Sequence, residues 1–277
     1  MGIDPWSVAV ADLDGDTIPD LVTANRTSDD VSVLLGNGDG TFQAAVSFAV
    51  GGRFEVPWAV AVADLDGDTV PDVVTANAGQ ENLGVLLGNG DGTFQAAVSF
   101  GGGDRSVAAA DLDGDAVPDL LAGQFGYFGG GEHVGVLLGN GDGTFQSGGA
   151  FAAGTSPISV AVADLDGDTV PDGVTANADS DDVSVLLGNG DGTFQADLSF
   201  AVSNSPWSVA VADLDGDTVP DVVTANEGSN DVSVLRNLSD RGVPVLSPGA
   251  LALLAALLAG TGSVVRIRTR RTTSFSR

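Results

Sequence analysis

The string DLDGD begins at Asp12, Asp64, Asp111, Asp164 and Asp213, so the chain repeats itself at spacings of 52, 47, 53 and 49 residues. GNGDGTFQ follows each of the first four, beginning at Gly36, Gly88, Gly139 and Gly188, whereas the fifth unit ends in VSVLRN at Asn237. A period of this length marks solenoids, propellers and arrays, so the fold has to be assembled unit by unit.

Each unit holds four short apolar runs. In the first unit SVAVA (Ser7 to Ala11) places Val on one face and Ala on the other, the pattern of a strand buried on both sides. DLVTA (Asp20 to Ala24) and VSVLLG from Val31 supply the second and third strands. TFQAAVSF from Thr41 is the fourth, with Phe42, Ala44, Val46 and Phe48 expected on one face and Gln43 and Ser47 on the other. Asn-Gly in the intervening NGDG takes the positive φ angles of a tight hairpin, and we read that turn as structural. Inner strands apolar on both faces and a half-polar outer strand describe a blade, so the expected fold is an all-β propeller of four-stranded antiparallel blades. Small Ala suits the crowded axis, and the paired Phe are expected to fill the space between blades. A flat stack of β units is the alternative.

Numbered from its first Asp, each loop carries carboxylates at positions 1, 3, 5 and 9 and a free carbonyl at position 7. The candidate ligands are Asp12, Asp14, Asp16, the Ile18 carbonyl and Asp20 in the first loop, and Asp64, Asp66, Asp68, Val70 and Asp72 in the second. The third offers Asp111, Asp113, Asp115, Val117 and Asp119, and the fourth Asp164, Asp166, Asp168, Val170 and Asp172. Asp213, Asp215, Asp217, Val219 and Asp221 complete the set. Hard oxygens in that number suit Ca²⁺, which takes about six to eight of them, whereas Mg²⁺ demands stricter octahedral geometry. Asp, Gly and Pro also form ordinary surface turns, but turn chemistry does not call for four carboxylates at the same offsets five times. Without a cation such neighbours repel by roughly 1 kcal/mol per pair in water. Up to five Ca²⁺ ions are therefore expected. An EF-hand has Gly at position 6 and Glu at position 12; here position 6 is Thr or Ala and position 12 is never Glu.

The charge balance agrees with this use of acid. Of 38 acidic residues 34 are Asp, all 10 basic residues are Arg, and the formal net charge is -28. Such a surface excludes nucleic acid, whose phosphates need clustered cations. With no Cys there is no disulfide, so bound metal is the expected staple.

SVAVADLDGDTVPDVVTAN followed by VSVLLGNGDGTFQAAVSF resembles the FG-GAP/VCBS repeats of bacterial surface proteins, related to the blades of the integrin α-chain head. The resemblance covers about residues 6–237 of a repeat domain set at 1–237, and implies a calcium-bearing propeller used outside the cell for adhesion or recognition. The family loop reads Asp-x-Asn/Asp-Gly-Asp-Gly-x-x-Asp; its second Gly is replaced here by Thr17, Thr69, Ala116, Thr169 and Thr218. Family propellers commonly have seven blades and five units are visible here, so the expectation is either a five-bladed or open ring or a chain whose upstream portion is missing.

From Val243 the segment VPVLSPGALALLAALLAGTGSVV carries no charge for 23 residues and is followed by RIRTRR. Apolar length with a basic end reads as a membrane-spanning helix whose Arg cluster faces the cytoplasm. We divide the tail into a linker (238–249), a helix (250–265) and a basic tail (266–277). Val243, Pro244, Val245, Leu246 and Ser247 are similar to the short motif of IPTL-CTERM and PEP-CTERM sorting signals, which implies export, anchoring at the bacterial surface and a sorting protease as partner. MGIDPWSVAV carries neither a basic nor an apolar leader, so an upstream portion with a signal peptide and further blades is expected.

Catalysis has little to draw on: one His, one Tyr, and no Cys or Lys. His133 ends the insertion GQFGYFGGGEH, read as a Gly-rich surface segment or as a recognition loop offering Phe125, Tyr127 and Phe128. Trp6, Trp58 and Trp207 recur before the first strand and are read as packing groups. The chain is expected to be a non-enzymatic, calcium-stabilised module recognising an extracellular protein or glycan. An enzyme, or an accessory propeller, acting on extracellular polysaccharide is the first alternative, and a passive spacer the second.

Overall fold

The computed structural model describes residues 2–124 and 132–237. Phe125, Tyr127, Phe128 and the predicted linker, helix and basic tail at 238–277 lie outside the described residues.

The described chain is a five-bladed, all-β propeller. Blade one comprises β1 (Pro5–Ala11), β2 (Asp20–Asn25), β3 (Asp30–Leu34) and β4 (Val46–Ala49). Blade two comprises β5 (Pro57–Ala63), β6 (Asp72–Asn77), β7 (Asn82–Leu86) and β8 (Val98–Gly101). Blade three holds β9 (Ser106–Ala110), β10 (Asp119–Gln124), β11 (His133–Gly139) and β12 (Phe145–Ala152). Blade four holds β13 (Pro157–Ala163), β14 (Asp172–Asn177), β15 (Asp182–Leu186) and β16 (Leu198–Ala201), and blade five β17 (Pro206–Ala212), β18 (Asp221–Asn226) and β19 (Asp231–Leu235). Strands pair antiparallel in sequence order within each sheet, four to a blade in the first four and three in the fifth.

The second and third strands of each blade carry most of the burial, and the first is only half buried. The prediction of a first strand enclosed on both sides is therefore corrected. β1, β5, β9, β13 and β17 line the centre of the array, and each packs on the next.

The core lies between blades. Leu13, Val22 and Val31 of blade one form one cluster with Val60, Val73, Leu86 and Phe94 of blade two. Leu65 and Val74 meet Val107, Leu120 and Leu137 in the next joint, Leu112 and Leu121 meet Val160, Leu186 and Phe194 in the third, and Leu165 and Val174 meet Val209 and Val222 in the fourth. The chain is thus stabilised by repeated joints, each burying Val and Leu at roughly 1.5–3 kcal/mol per side chain.

The Phe residues do bridge neighbours, with Phe48 edge-on to Phe94, Phe100 to Phe145 and Phe151 to Phe194, all at 5.3 Å. The two Phe of one outer strand serve opposite joints, however: Phe94 meets blade one and Phe100 meets blade three. The predicted unbroken strand from Thr41, with Phe42 and Phe48 on one face, is corrected accordingly. In blade one Gly36 bridges Phe42 and Val33 pairs with Val46, so the two sides span unequal lengths and the period-two alternation is lost between them.

At the start of the first strand the pairing slips by one residue between Pro5 and Ser7, Pro57 and Ala59, Pro157 and Ser159, and Pro206 and Ser208. The bulged residues are Trp6, Trp58, Ile158 and Trp207, and Arg105 stands at the corresponding place in blade three. A bulge bends the strand and re-aims its side chain. The indoles pack on one another as read from the sequence, Trp6 to Trp58 at 4.3 Å and Trp58 to Trp207 at 6.3 Å. The Arg105 guanidinium lies 4.0 Å from the Trp58 ring, and that of Arg26 4.9 and 5.0 Å from Trp6 and Trp58.

Candidate metal centres

Five loops join first to second strands, and their own side chains curl them. In the first, Gly15 N donates to Asp12 Oδ1 and Thr17 N to Asp12 Oδ2, both at 2.9 Å. Asp16 N donates to Asp14 Oδ1 at 3.2 Å and Ile18 N to Asp16 Oδ1 at 2.8 Å. Asp64, Asp111, Asp164 and Asp213 bond the same two amides in their own loops. Val70, Val117, Val170 and Val219 likewise donate to Asp68, Asp115, Asp168 and Asp217. These side-chain-to-backbone bonds replace the ladder that the turn gives up. The position-6 residues Thr17, Thr69, Ala116, Thr169 and Thr218 all adopt φ of 70–72°, left-handed backbone that a Cβ disfavours and the branched Thr most of all.

The ninth-position Asp does more than line the loop. Asp20 is buried, its Oδ2 accepting from Leu13 N and its Oδ1 from Gly36 N at 2.7 Å each. Asp72 joins Leu65 N to Gly88 N, Asp119 joins Leu112 N to Gly139 N, and Asp172 joins Leu165 N to Gly188 N. Asp221 joins Leu214 N to Asn237 N. This carboxylate braces the loop against the end of the third strand, a role the sequence reading missed. Its signal was present in the Gly or Asn that closes or follows every third strand at the same offset: Gly36, Gly88, Gly139, Gly188 and Asn237.

Carboxylate oxygens converge in all five loops. Asp12, Asp14 and Asp20 each bring one oxygen within 4.8 Å of the others, as do Asp64, Asp66 and Asp72, Asp164, Asp166 and Asp172, and Asp213, Asp215 and Asp221. The third group is Asp111, Asp113 and Asp115. Asp16, Asp68, Asp168, Asp217 and Asp119 stand outside these groups of three. Each group is a set of hard donors of a kind that binds metal ions.

The electrostatics fit such a role. Burial pushes the Asp72 and Asp172 carboxyls up to about 6, against the pull of their two backbone amides and with help from the like charges of Asp66 and Asp68 or Asp166 and Asp168. Burial likewise raises Asp14, Asp66, Asp119 and Asp166, with adjacent carboxylates adding to it. Asp39, Asp91, Asp142 and Asp191 of the NGDG hairpins are lowered by the Thr hydroxyl two residues on and then by its amide, in keeping with a structural turn.

The fifth loop differs. Arg236 stands where the other units have Leu35, Leu87, Leu138 and Leu187, and it forms an ion pair with Asp215. One group member thus faces a cation from its own chain. The substitution was visible in VSVLRN against VSVLLG, but its partner was not. His133 opens β11, exposed and paired with Gln124.

Residues 12–75, 70–122 and 171–224 match the FG-GAP-like repeat family. No curated protein matches the chain. Among solved structures the chain is similar to an Agrocybe aegerita lectin described as recognising non-reducing terminal N-acetylglucosamine, at 24% identity and a TM-score of 0.51 over 84% of this chain and 62% of the lectin. It is similar in fold to BBS1N from the complex with ARL6DN, at 14% identity and a TM-score of 0.57 over 84% of this chain and 66% of that one. The V. cholerae biofilm matrix protein Bap1 aligns at 18% identity with a TM-score of 0.49, over 86% of this chain and 38% of Bap1. The chain spans less than two thirds of the length of the first two structures.

Proposed function

The chain belongs to the FG-GAP-like repeat family, and from that premise we propose that it is a calcium-binding recognition module with no catalytic activity of its own. The observation that carries this reading is the fivefold grouping of carboxylates, each with one oxygen within 4.8 Å of the others, on loops between first and second strands. Asp12, Asp14 and Asp20 and their counterparts would hold the ion in four loops, and Asp111, Asp113 and Asp115 in the third. The position-5 carboxylates and the carbonyls of Ile18, Val70, Val117, Val170 and Val219 are the further ligands we assign. Bound Ca²⁺ supplies the positive charge that offsets the mutual repulsion of these acids and fixes the loop.

Division of labour between the two ends of the blades supports recognition. Metal loops lie at the end of the first strand, and the bulged Trp lie at its start, so loops and indoles occupy opposite ends. The Trp end also carries the ends of the second and third strands, among them the paired Gln124 and His133. Trp6, with the Arg26 guanidinium over its ring, and Trp207 are partly exposed there. Indole faces next to a cation suit a sugar ring bearing polar or acidic substituents. The ligand described for the Agrocybe aegerita lectin makes a terminal N-acetylglucosamine the first sugar to test. Display at a bacterial surface, with 250–265 in the membrane and a sorting protease acting on the tail, completes the proposal.

A glycan array probed in calcium and in chelator, beside a reducing-sugar assay, tests this function. Calcium-dependent binding without turnover is expected. Sugar release without a retained ligand would favour a polysaccharide-acting enzyme, and no binding in either condition would favour a spacer.

A further inference from the structure

We propose that the first four aspartate loops are one linked set, in which metal bound at one loop raises the affinity of its neighbour through the hairpin between them; the proposal rests on the calcium reading of those loops. The position-9 carboxylate ties each loop to a hairpin of its own blade. Asp72 accepts from the Leu65 amide at 2.8 Å and from the Gly88 amide at 2.7 Å, and Gly88 stands just before the NGDG hairpin. Asp119 does the same with Leu112 and Gly139, and Asp172 with Leu165 and Gly188. Each hairpin is closed at its neck, Asn89 N donating to Thr93 O, Asn140 N to Thr144 O and Asn189 N to Thr193 O at 2.9–3.0 Å, so its two sides move together. Its far side grips the blade before: Gly92 N donates to Leu13 O, Gly143 N to Leu65 O and Gly192 N to Leu112 O, at 3.0–3.2 Å.

The links join end to end. Leu65 gives its amide to Asp72 and its carbonyl to Gly143, and Leu112 stands in the same way between Asp119 and Gly192. A continuous path therefore runs from Asp172 of blade four to Asp20 of blade one, made only of backbone amides, backbone carbonyls and position-9 carboxylates. Each gripped Leu lies between the first two aspartates of its loop, which belong to the converging group in every case. Holding that Leu holds the spacing of two ligands. Packing follows the same line: a Cβ on Gly192 would meet Leu138 Cδ2 at 2.6 Å and lie 3.6 Å from Asp113 Cβ, so the hairpin of blade four sits on a member of the third group. Blade five has no NGDG hairpin, and Asn237 reaches the Leu165 carbonyl with a side chain that can rotate away without moving the fifth loop. That loop lies outside the set.

An ion that orders one loop thereby orders the hairpin braced to it and the carbonyl which that hairpin grips. The shared hairpin loses its conformational freedom once, and the second ion meets a loop already held. By linkage the effect is mutual. Charge acts the other way, since each cation bound to an acidic chain lessens the pull on the next, an effect that salt of about 0.15 M screens beyond ~8 Å. The link is tightest where the position-9 carboxylate is itself in the group, as Asp72 and Asp172 are. Asp119 is not, so the step from loop three to loop two depends on Leu112.

Hydrogen exchange read by mass spectrometry along a calcium titration of the full chain, in mild detergent and about 0.15 M salt, gives a midpoint for each loop. Asp166→Asn removes a charge from the fourth group and keeps the Oδ1 to which Asp168 N donates. The expected result is a calcium midpoint for loop three raised by about fivefold or more, with exchange of that loop in chelator unchanged. Gly192→Ala, whose Cβ meets Leu138, cuts the link; it should weaken loop three by itself, and Asp166→Asn added to it should do nothing further there. Asp166→Asn alone decides the matter should Gly192→Ala unfold. A loop-three midpoint that Asp166→Asn leaves unmoved, in a protein whose wild-type loops calcium protects, would overturn the relay and leave the calcium reading standing. So would an equal shift with and without Gly192→Ala, as expected of charge alone. Wild-type loops that calcium does not protect would overturn the calcium reading and this proposal together.

Discussion

The Gly92 amide donates to the Leu13 carbonyl at 3.0 Å, so the hairpin of blade two holds the aspartate loop of blade one. Gly143 does the same for Leu65 at 3.2 Å and Gly192 for Leu112 at 3.0 Å, and the Asn237 side chain takes over at Leu165. Each Leu lies between the first two loop aspartates, which couples loop order to blade docking. At φ 76° Gly92 has a conformation that L side chains rarely adopt, and a Cβ there would meet Leu35 Cδ2 at 2.8 Å. Gly92→Ala should therefore cost about 1–3 kcal/mol in denaturant unfolding and weaken metal binding in the first loop. Gly40→Ala, at φ 86° with open space around it, isolates the backbone cost alone and should cost less.

Asp72 and Asp66 share a loop but not a task. Asp72→Ala leaves the Leu65 and Gly88 amides without their acceptor, at about 1–3 kcal/mol each. It should destabilise the chain even in chelator. Asp66→Asn should leave the melting temperature in chelator almost unchanged and reduce only the gain from calcium. Equal effects of the two variants in chelator would contradict this division.

Thr69 holds φ 70° at a position where Gly is at ease. Left-handed backbone costs a branched residue about 1–2 kcal/mol, and Gly returns part of that as extra freedom of the unfolded chain. Thr69→Gly should raise stability by about 0.5–1 kcal/mol, read from the denaturation midpoint at unchanged slope.

Acidity and metal should act in opposite directions. Asp72 and Asp172 have folded pKa values raised from 3.8 to about 6, so the folded chain favours their protonated form. Their contribution to stability is full below 3.8 and is lost as pH rises through about 6. In chelator, these two groups make the melting temperature fall between about pH 4 and pH 7. With calcium the trend should reverse, because protons compete with the ion. A chelator-treated protein whose stability rises steadily over that window would contradict the burial of these carboxyls.

Arg236 sets the fifth loop apart. With Asp215 already facing a guanidinium, calcium should bind there more weakly than in the first four loops. Arg236→Leu, which restores the residue of the other units, should tighten that one site and leave the others unchanged in a calorimetric titration.

The blade architecture was legible because its period, its apolar runs and its NGDG hairpins are local patterns that recur with little change. The grouping of Asp12, Asp14 and Asp20 was legible for the same reason, as alternate residues of one loop. What escaped depends on contacts distant in sequence. Asp20 reaches Gly36 across a strand, Leu13 is held by Gly92 of another blade, and the opposed packing of Phe94 and Phe100 follows from a break in pairing that no alternation pattern encodes. The half-buried first strand has the same origin, since its outer side faces a centre whose width depends on the whole array.

Calorimetric titration of the purified chain with calcium, paired with thermal melting in calcium and in chelator, is the most direct measurement. Saturable heat and a rise in melting temperature are predicted, with each site adding about 2.7 kcal/mol at a hundredfold excess over its Kd. Absence of heat, together with one melting temperature in both conditions, would contradict the assignment of the aspartate loops to calcium.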